Sequence, residues 1–176
     1  MTCRLTGLVW PDLDLLLMPV LGHRSILTHS ALLPLLAVVV RPRRFPAHAV
    51  AWFAFGLAIH LIADLFPRSW RGFALIQLPL GSGSIGALSS PMWIAANAVL
   101  ALGICEWLLR RVGRLLSAWH YVGSAVALGC YAVLNEEKPW LGFAMVAMWG
   151  AMAVLVRKVL AKTRRAPEFA VAADTD

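Results

Sequence analysis

His60 and Asp64, four residues apart in His60-Leu61-Ile62-Ala63-Asp64, are the residues of this chain best placed to do chemistry. On a helix such a pair shares one face, about 6 Å apart along the axis. An aspartate at the centre of a membrane-length helix costs roughly 2.5–3.5 kcal/mol, which argues for a use. Imidazole and carboxylate together make half of a common Zn²⁺ or Mn²⁺ site. The other half is available upstream, as Asp12 and Asp14 in Pro11-Asp12-Leu13-Asp14, then His23 and His29 in His23-Arg24-Ser25-Ile26-Leu27-Thr28-His29-Ser30. The expectation is that Asp12, Asp14, His23, His29, His60 and Asp64 form one centre for a divalent metal, Zn²⁺ before Mn²⁺. Asp12 and Asp14, two apart, do not share a helical face, but a turn after Pro11 lets both reach one ion.

Each signal has a plainer reading. His60 and Asp64 alone suit an interhelical hydrogen bond as well as a metal. His23 and His29 can be an interfacial residue and a neighbour of a helix cap, with Ser25, Thr28 and Ser30 either capping or bracing ligands. Asp12 and Asp14 can pin a loop at the water surface. Asn97, in a later apolar run, either supports the polar group or bonds a carbonyl. Six ligand-type residues falling together favour the metal.

The elements that must position them are membrane helices. Hydrophobic residues are 60% and charged residues 14% of 176, and mean hydropathy is +0.74, beyond the usual soluble range. The apolar runs are continuous, which favours helices over a barrel. The expected fold is an all-α polytopic bundle of about five spans (four to five), with residues 1–156 one domain and 157–176 a basic, disordered tail. Expected spans run from Arg24 to Val40, Ala47 to Phe66, Pro91 to Leu109, Leu115 to Leu134 and Trp140 to Val156. Residues 1–22, interrupted by prolines and acids, suit an interfacial or partly buried segment, and their acids argue against a signal peptide.

The net charge of +7 sits at the ends of the apolar runs, so it sets topology rather than binding nucleic acid. Arg41, Arg43 and Arg44, then Arg110, Arg111 and Arg114, then the C-terminal basic residues share one side, the expected cytoplasmic face. All six metal candidates then fall together near the opposite face, whereas Glu106 and His120 do not. Three cysteines without metal spacing read as packing residues, as does the stripe Met145, Met148 and Met152. Gly81-Ser82-Gly83-Ser84-Ile85-Gly86 matches a dinucleotide-binding string, but no strand precedes it, and a turn between spans is expected.

Taken in order, Pro11-Asp12-Leu13-Asp14, His23-Arg24-Ser25-x-x-Thr28-His29-Ser30, His60-Leu61-x-x-Asp64, then Gly72 and Pro79 resemble the membrane-bound metal-dependent hydrolase family, over about residues 7–100. Members of that family usually carry a further apolar helix with a Thr-His pair ahead of the acidic motif; here Met1 to Trp10 precede it. The resemblance implies a zinc-dependent hydrolase of the bacterial inner membrane, acting on phosphoesters or lipid head groups. The expected reaction is attack of metal-activated water on an ester or phosphoester, with Asp12 or Asp14 as general base and Arg24 available to a phosphate. The alternatives are a non-catalytic membrane protein whose metal or hydrogen-bonded cluster locks the bundle, and, less favoured, a cation carrier.

Overall fold

The computed structural model describes residues 2–40, 45–65, 75–135 and 140–165. They are all-helical, with α1 (Thr2–Val9), α2 (Met18–Leu21), α3 (Leu32–Val40), α4 (Ala47–Asp64), α5 (Ser89–Arg111), α6 (Ala118–Asn135) and α7 (Trp140–Arg165). Short 3-10 turns at Pro11–Leu15 and Pro79–Gly81 complete the set. No strand occurs among the described residues; two isolated bridges join Gln77 to Ser25 and Ser84.

Three helices are long and apolar enough to cross a membrane, Ala47–Asp64, Ser89–Arg111 and the Trp140–Thr163 part of α7. The apolar stretch of α6, Ala118–Leu134, falls just short of that length. The expected first span, from Arg24 to Val40, is helical only from Leu32, about 14 Å of helix. The reason is local: Ser25, Thr28 and Ser30 turn their side chains onto nearby backbone and hold residues 23–31 as turns. At the other end α7 runs on to Arg165, so the first residues of the expected tail are helical. Residues 166–176, the 41–44 cluster, Phe66 and Gly72 lie outside the described residues.

Prolines mark the starts. Pro46 caps α4, and Pro91 lies in the first turn of α5, where no intrahelical N–H is needed. Gly113, at φ 70, stops α5: its N–H reaches the Arg110 carbonyl at 3.2 Å and Arg114 N–H reaches Leu109 at 2.8 Å.

The core lies between α4 and α5, which pack most extensively on each other. Ala51, Ala54 and Ala58 of α4 and Ala98, Ala101 and Cys105 of α5 are all fully buried, and such small residues let helices approach closely. Leu57, Leu61, Ile62, Ile94 and Leu102 fill the remainder. Next to this pair α1 crosses α4 so closely that a Cβ on Gly7 would overlap the Phe53 carbonyl oxygen. The third pairing, α6 on α7, is tied to α5 by Glu106, which is fully buried. Its carboxylate accepts from the Tyr121 hydroxyl, from Arg157 Nε at 3.2 Å and from Arg110 Nε at 3.4 Å. Arg157 also donates to the Leu116 carbonyl at 2.7 Å, so one side chain closes three segments. His120 lies 2.7 Å from the Ser117 hydroxyl. Met145 and Met152 are buried against this pair, in keeping with a packing stripe.

Candidate metal centre

The site begins with the turn that carries His29. Asp14 leaves its 3-10 turn pointing inward and is fully buried. Its Oδ2 accepts from the Ser25 N–H at 2.9 Å and from the Thr28 hydroxyl at 3.1 Å. With its own proton directed away, toward Asp14 or the Ser25 carbonyl, the Thr28 oxygen can accept from His29 Nδ1, 3.1 Å away. Asp14 Oδ2 itself lies 3.4 Å from the same nitrogen. This contact allows His29 to carry its proton on Nδ1, which would leave the Nε2 lone pair on the opposite side of the ring for an ion.

Helix α5 fixes the backbone at this point. Trp93 donates its indole N–H to the His29 carbonyl at 3.1 Å, and Asn97 Oδ1 accepts from the Ala31 N–H at 2.8 Å. The Asn97 amide in turn donates to the Trp93 carbonyl at 2.9 Å, which ties both supports together. Asn97 thus braces the chain beside the site instead of touching the ligands.

The second histidine comes from the end of α4. His60 Nδ1 donates to the Leu8 carbonyl at 2.7 Å, one of the acceptors that the last turn of α1 leaves without an intrahelical partner. The close crossing at Gly7 brings that carbonyl within reach. His60 is therefore also turned with its Nε2 lone pair inward. The two rings lie 5.7 Å apart at 67°.

Both Nε2 atoms converge on Asp64 Oδ2, His29 at 2.7 Å and His60 at 3.2 Å. All three atoms are buried, and none makes a hydrogen bond among the described residues. At these distances each imidazole contacts the Asp64 carboxylate directly as an ion pair, and with each outer ring nitrogen already committed the same three atoms could instead share a divalent cation. His29, His60 and Asp64 each present one ligand atom within 4.8 Å of the others. Two imidazoles and a carboxylate suit Zn²⁺ or Mn²⁺, so the residues fit such an ion.

The remaining candidates flank this triad. Asp12 is half exposed, with Oδ1 3.9 Å from His60 Nε2. His23 lies outside, its Nδ1 3.5 Å from Asp14 Oδ1, the carboxylate oxygen turned away from His29. Asp14 sits behind His29 rather than beside Asp64, because the Ser25 N–H and Thr28 hydroxyl hold it there. The structure thus brings three of the six to one point and arranges three around them. Arg24 takes a left-handed backbone at φ 58, rare for a side chain of its size. Its buried Nε has no hydrogen bond and lies 3.6 Å from Asp64 Oδ1. The backbone on either side is held by Gln77, whose N–H donates to the Arg24 carbonyl at 2.9 Å and whose carbonyl accepts from Ile26 at 3.0 Å.

Trp93 and the Leu8 carbonyl are the participants that residue types do not announce. Trp93 reads as an interfacial anchor, and a backbone carbonyl leaves no trace in composition. Gly7, a small residue in an apolar helix, is the one hint of the crossing.

Fold and site together define a chain that is helical over its described residues, with a partly buried His-His-Asp cluster that could hold a divalent cation. Compared with protein-family models, curated proteins and solved structures, the chain matches none.

Proposed function

We propose that this chain is an integral membrane protein of about five spans that binds a divalent metal, zinc first, and hydrolyses an ester or phosphoester at the membrane–water boundary. The observation that carries the reading is the convergence of His29 Nε2, His60 Nε2 and Asp64 Oδ2 with no hydrogen bonds of their own, inside an apolar bundle. The first span is the segment from Arg24 to Val40, of which α3 is the helical part, and α4 to α7 are the others. The resemblance carried by the acidic and histidine motifs supports the hydrolase class and a bacterial inner-membrane setting. The distribution of arginines supports a cytoplasmic C-terminus.

When bound, the ion supplies a Lewis acid that polarises the substrate oxygen and makes water nucleophilic near neutral pH. The chain's own residues do the rest. Asp14 and Thr28 keep the His29 proton on Nδ1, and Leu8 does the same for His60. Asp12, the carboxylate not engaged by backbone or hydroxyl donors, takes a proton from water as general base. Arg24, whose Nε–H makes no hydrogen bond and pairs at 3.6 Å with Asp64 Oδ1, offers that N–H to a phosphate oxygen beside Asp64.

The test compares metal content in the purified protein and a His60→Ala, Asp64→Ala double variant. The expected result is bound metal in the parent and little in the variant; equal content in both would sink the reading. Turnover is then read on a panel of carboxyl-ester and phosphoester lipids. A metal-loaded parent inert toward the whole panel would leave the ion a structural clamp between α4 and the 23–31 turn.

A further inference from the structure

The far end of the bundle holds more positive charge than its fold requires. Among the described residues, Glu106 is the one carboxylate on α5, α6 or α7, and it is shared by Arg110 and Arg157. Arg111 and Arg114 have no acid to pair with on these helices. Both are exposed, at the end of α5 and just beyond its Gly113 stop. The C-terminal ends of α5 and α7 bring partial negative charge here, which suits the arginines but does not neutralise them.

Two cavities open at this end and share Arg110. One, of about 390 Å³, lies between α5 and α7 and is lined by Trp107, Arg110, Arg111, Leu160 and Thr163. The other, of about 350 Å³, is lined by Arg110, Gly113, Arg114 and Leu115. In the first, the Arg111 guanidinium carbon lies over the Trp107 ring, 3.9 Å from its centre. Stacking holds the group by its face and leaves its N–H edge free for an in-plane acceptor. The Thr163 hydroxyl already donates to the Leu160 carbonyl at 3.1 Å, so the arginines are the charged donors on offer. Cations that merely snorkel to the interface need neither a cavity nor a stacking platform.

We propose that these two neighbouring cavities, which meet at Arg110, bind the headgroup of an anionic phospholipid, one phosphodiester against Arg111 and, in a lipid with two phosphodiesters, the second against Arg114. The shared chemistry is a phosphate oxygen in the plane of a guanidinium. A lipid is favoured over free phosphate because Leu160, Leu115 and Trp107 give the same cavities an apolar wall, at the ends of helices long enough to cross a membrane. Basic pockets between membrane helices are where such headgroups settle.

The test uses the full chain in detergent, mixed with phosphatidylcholine, phosphatidylglycerol or diphosphatidylglycerol, with bound lipid read by native mass spectrometry. Diphosphatidylglycerol should be retained best and phosphatidylcholine least. The Arg111→Gln, Arg114→Gln variant should lose about 30-fold in affinity for it, roughly fivefold for each cation withdrawn from an anionic headgroup. Arg111→Lys keeps the charge but not the flat stacked edge, and should lose part of that. Far-ultraviolet circular dichroism checks that the helices persist, which is expected because neither arginine holds Glu106. Undiminished retention by the double variant, or equal retention of phosphatidylcholine, overturns the proposal. So does displacement of the lipid by millimolar inorganic phosphate, which would assign the cavities to a free anion.

Discussion

Asp14 and Asp12 are two residues apart in sequence and differ in almost everything that decides what a carboxylate does. Asp14 is buried under the Ser25 N–H and the Thr28 hydroxyl, and it faces His29 Nδ1. Asp14→Asn keeps the shape but turns one acceptor into a donor against those groups. We expect a stability loss of about 1–3 kcal/mol, read by thermal unfolding. Metal affinity should fall about 10- to 100-fold, as when the carboxylate behind a ligating histidine is lost, read by competition with a chelator. Asp12 is half exposed with His60 as its near neighbour. Asp12→Asn should leave stability within about 0.5 kcal/mol and metal content unchanged, while turnover falls. Full activity in that variant would remove Asp12 from the chemistry.

Helix α1 owes its place to a missing side chain. Gly7 faces the Phe53 carbonyl where no Cβ fits, and that contact sets the height of the Leu8 carbonyl over His60. Gly7→Ala should push the two helices apart, cost about 1–3 kcal/mol, and lower metal affinity although residue 7 touches no ligand. Equal metal affinity in parent and variant would separate the crossing from the site. The limits of reading this chain as letters also show here. The helical character of α4, α5, α6 and α7 was legible because each is a continuous apolar run closed by a proline, a glycine or basic residues. His29, His60 and Asp64 were legible because ionisable residues stand out among leucines. The division of six candidates into three that converge and three that flank was not, since it depends on which way Asp14 turns after Pro11. Nor was the late start of α3, where hydroxyl side chains outcompete the helix for backbone groups.

Across the molecule the polar groups are gathered at two ends. The His-His-Asp cluster lies at the Asp64 end of α4, and the Glu106 network at the Arg111 end of α5. Glu106→Gln should destabilise α5, α6 and α7 together by about 1–3 kcal/mol, because Tyr121 and Arg157 lose a charged acceptor. Metal content should not change; a parallel loss of metal would show that the two ends are not independent. In the proposed membrane arrangement, the side each end faces would be set by the arginines. With Cys3, Cys105 and Cys130 replaced by Ala, an impermeant thiol reagent applied from outside should label a cysteine placed at Ser84 and miss one placed at Lys162. The reverse pattern would put the metal centre in contact with the cytoplasmic pool of substrates.

The spacing of the three converging groups has a consequence for the chain itself. His60 and Asp64 are brought together by a single helical turn, and His29 sits in a turn stabilised locally by Asp14. What separates the two halves is the chain between residues 29 and 60. Closing a flexible loop of that length costs about 3 kcal/mol in entropy. An ion held by both halves would therefore act as a reversible cross-link, and stripping it would loosen the turn at residues 23–31 before it touched α4, which α5 holds in the core.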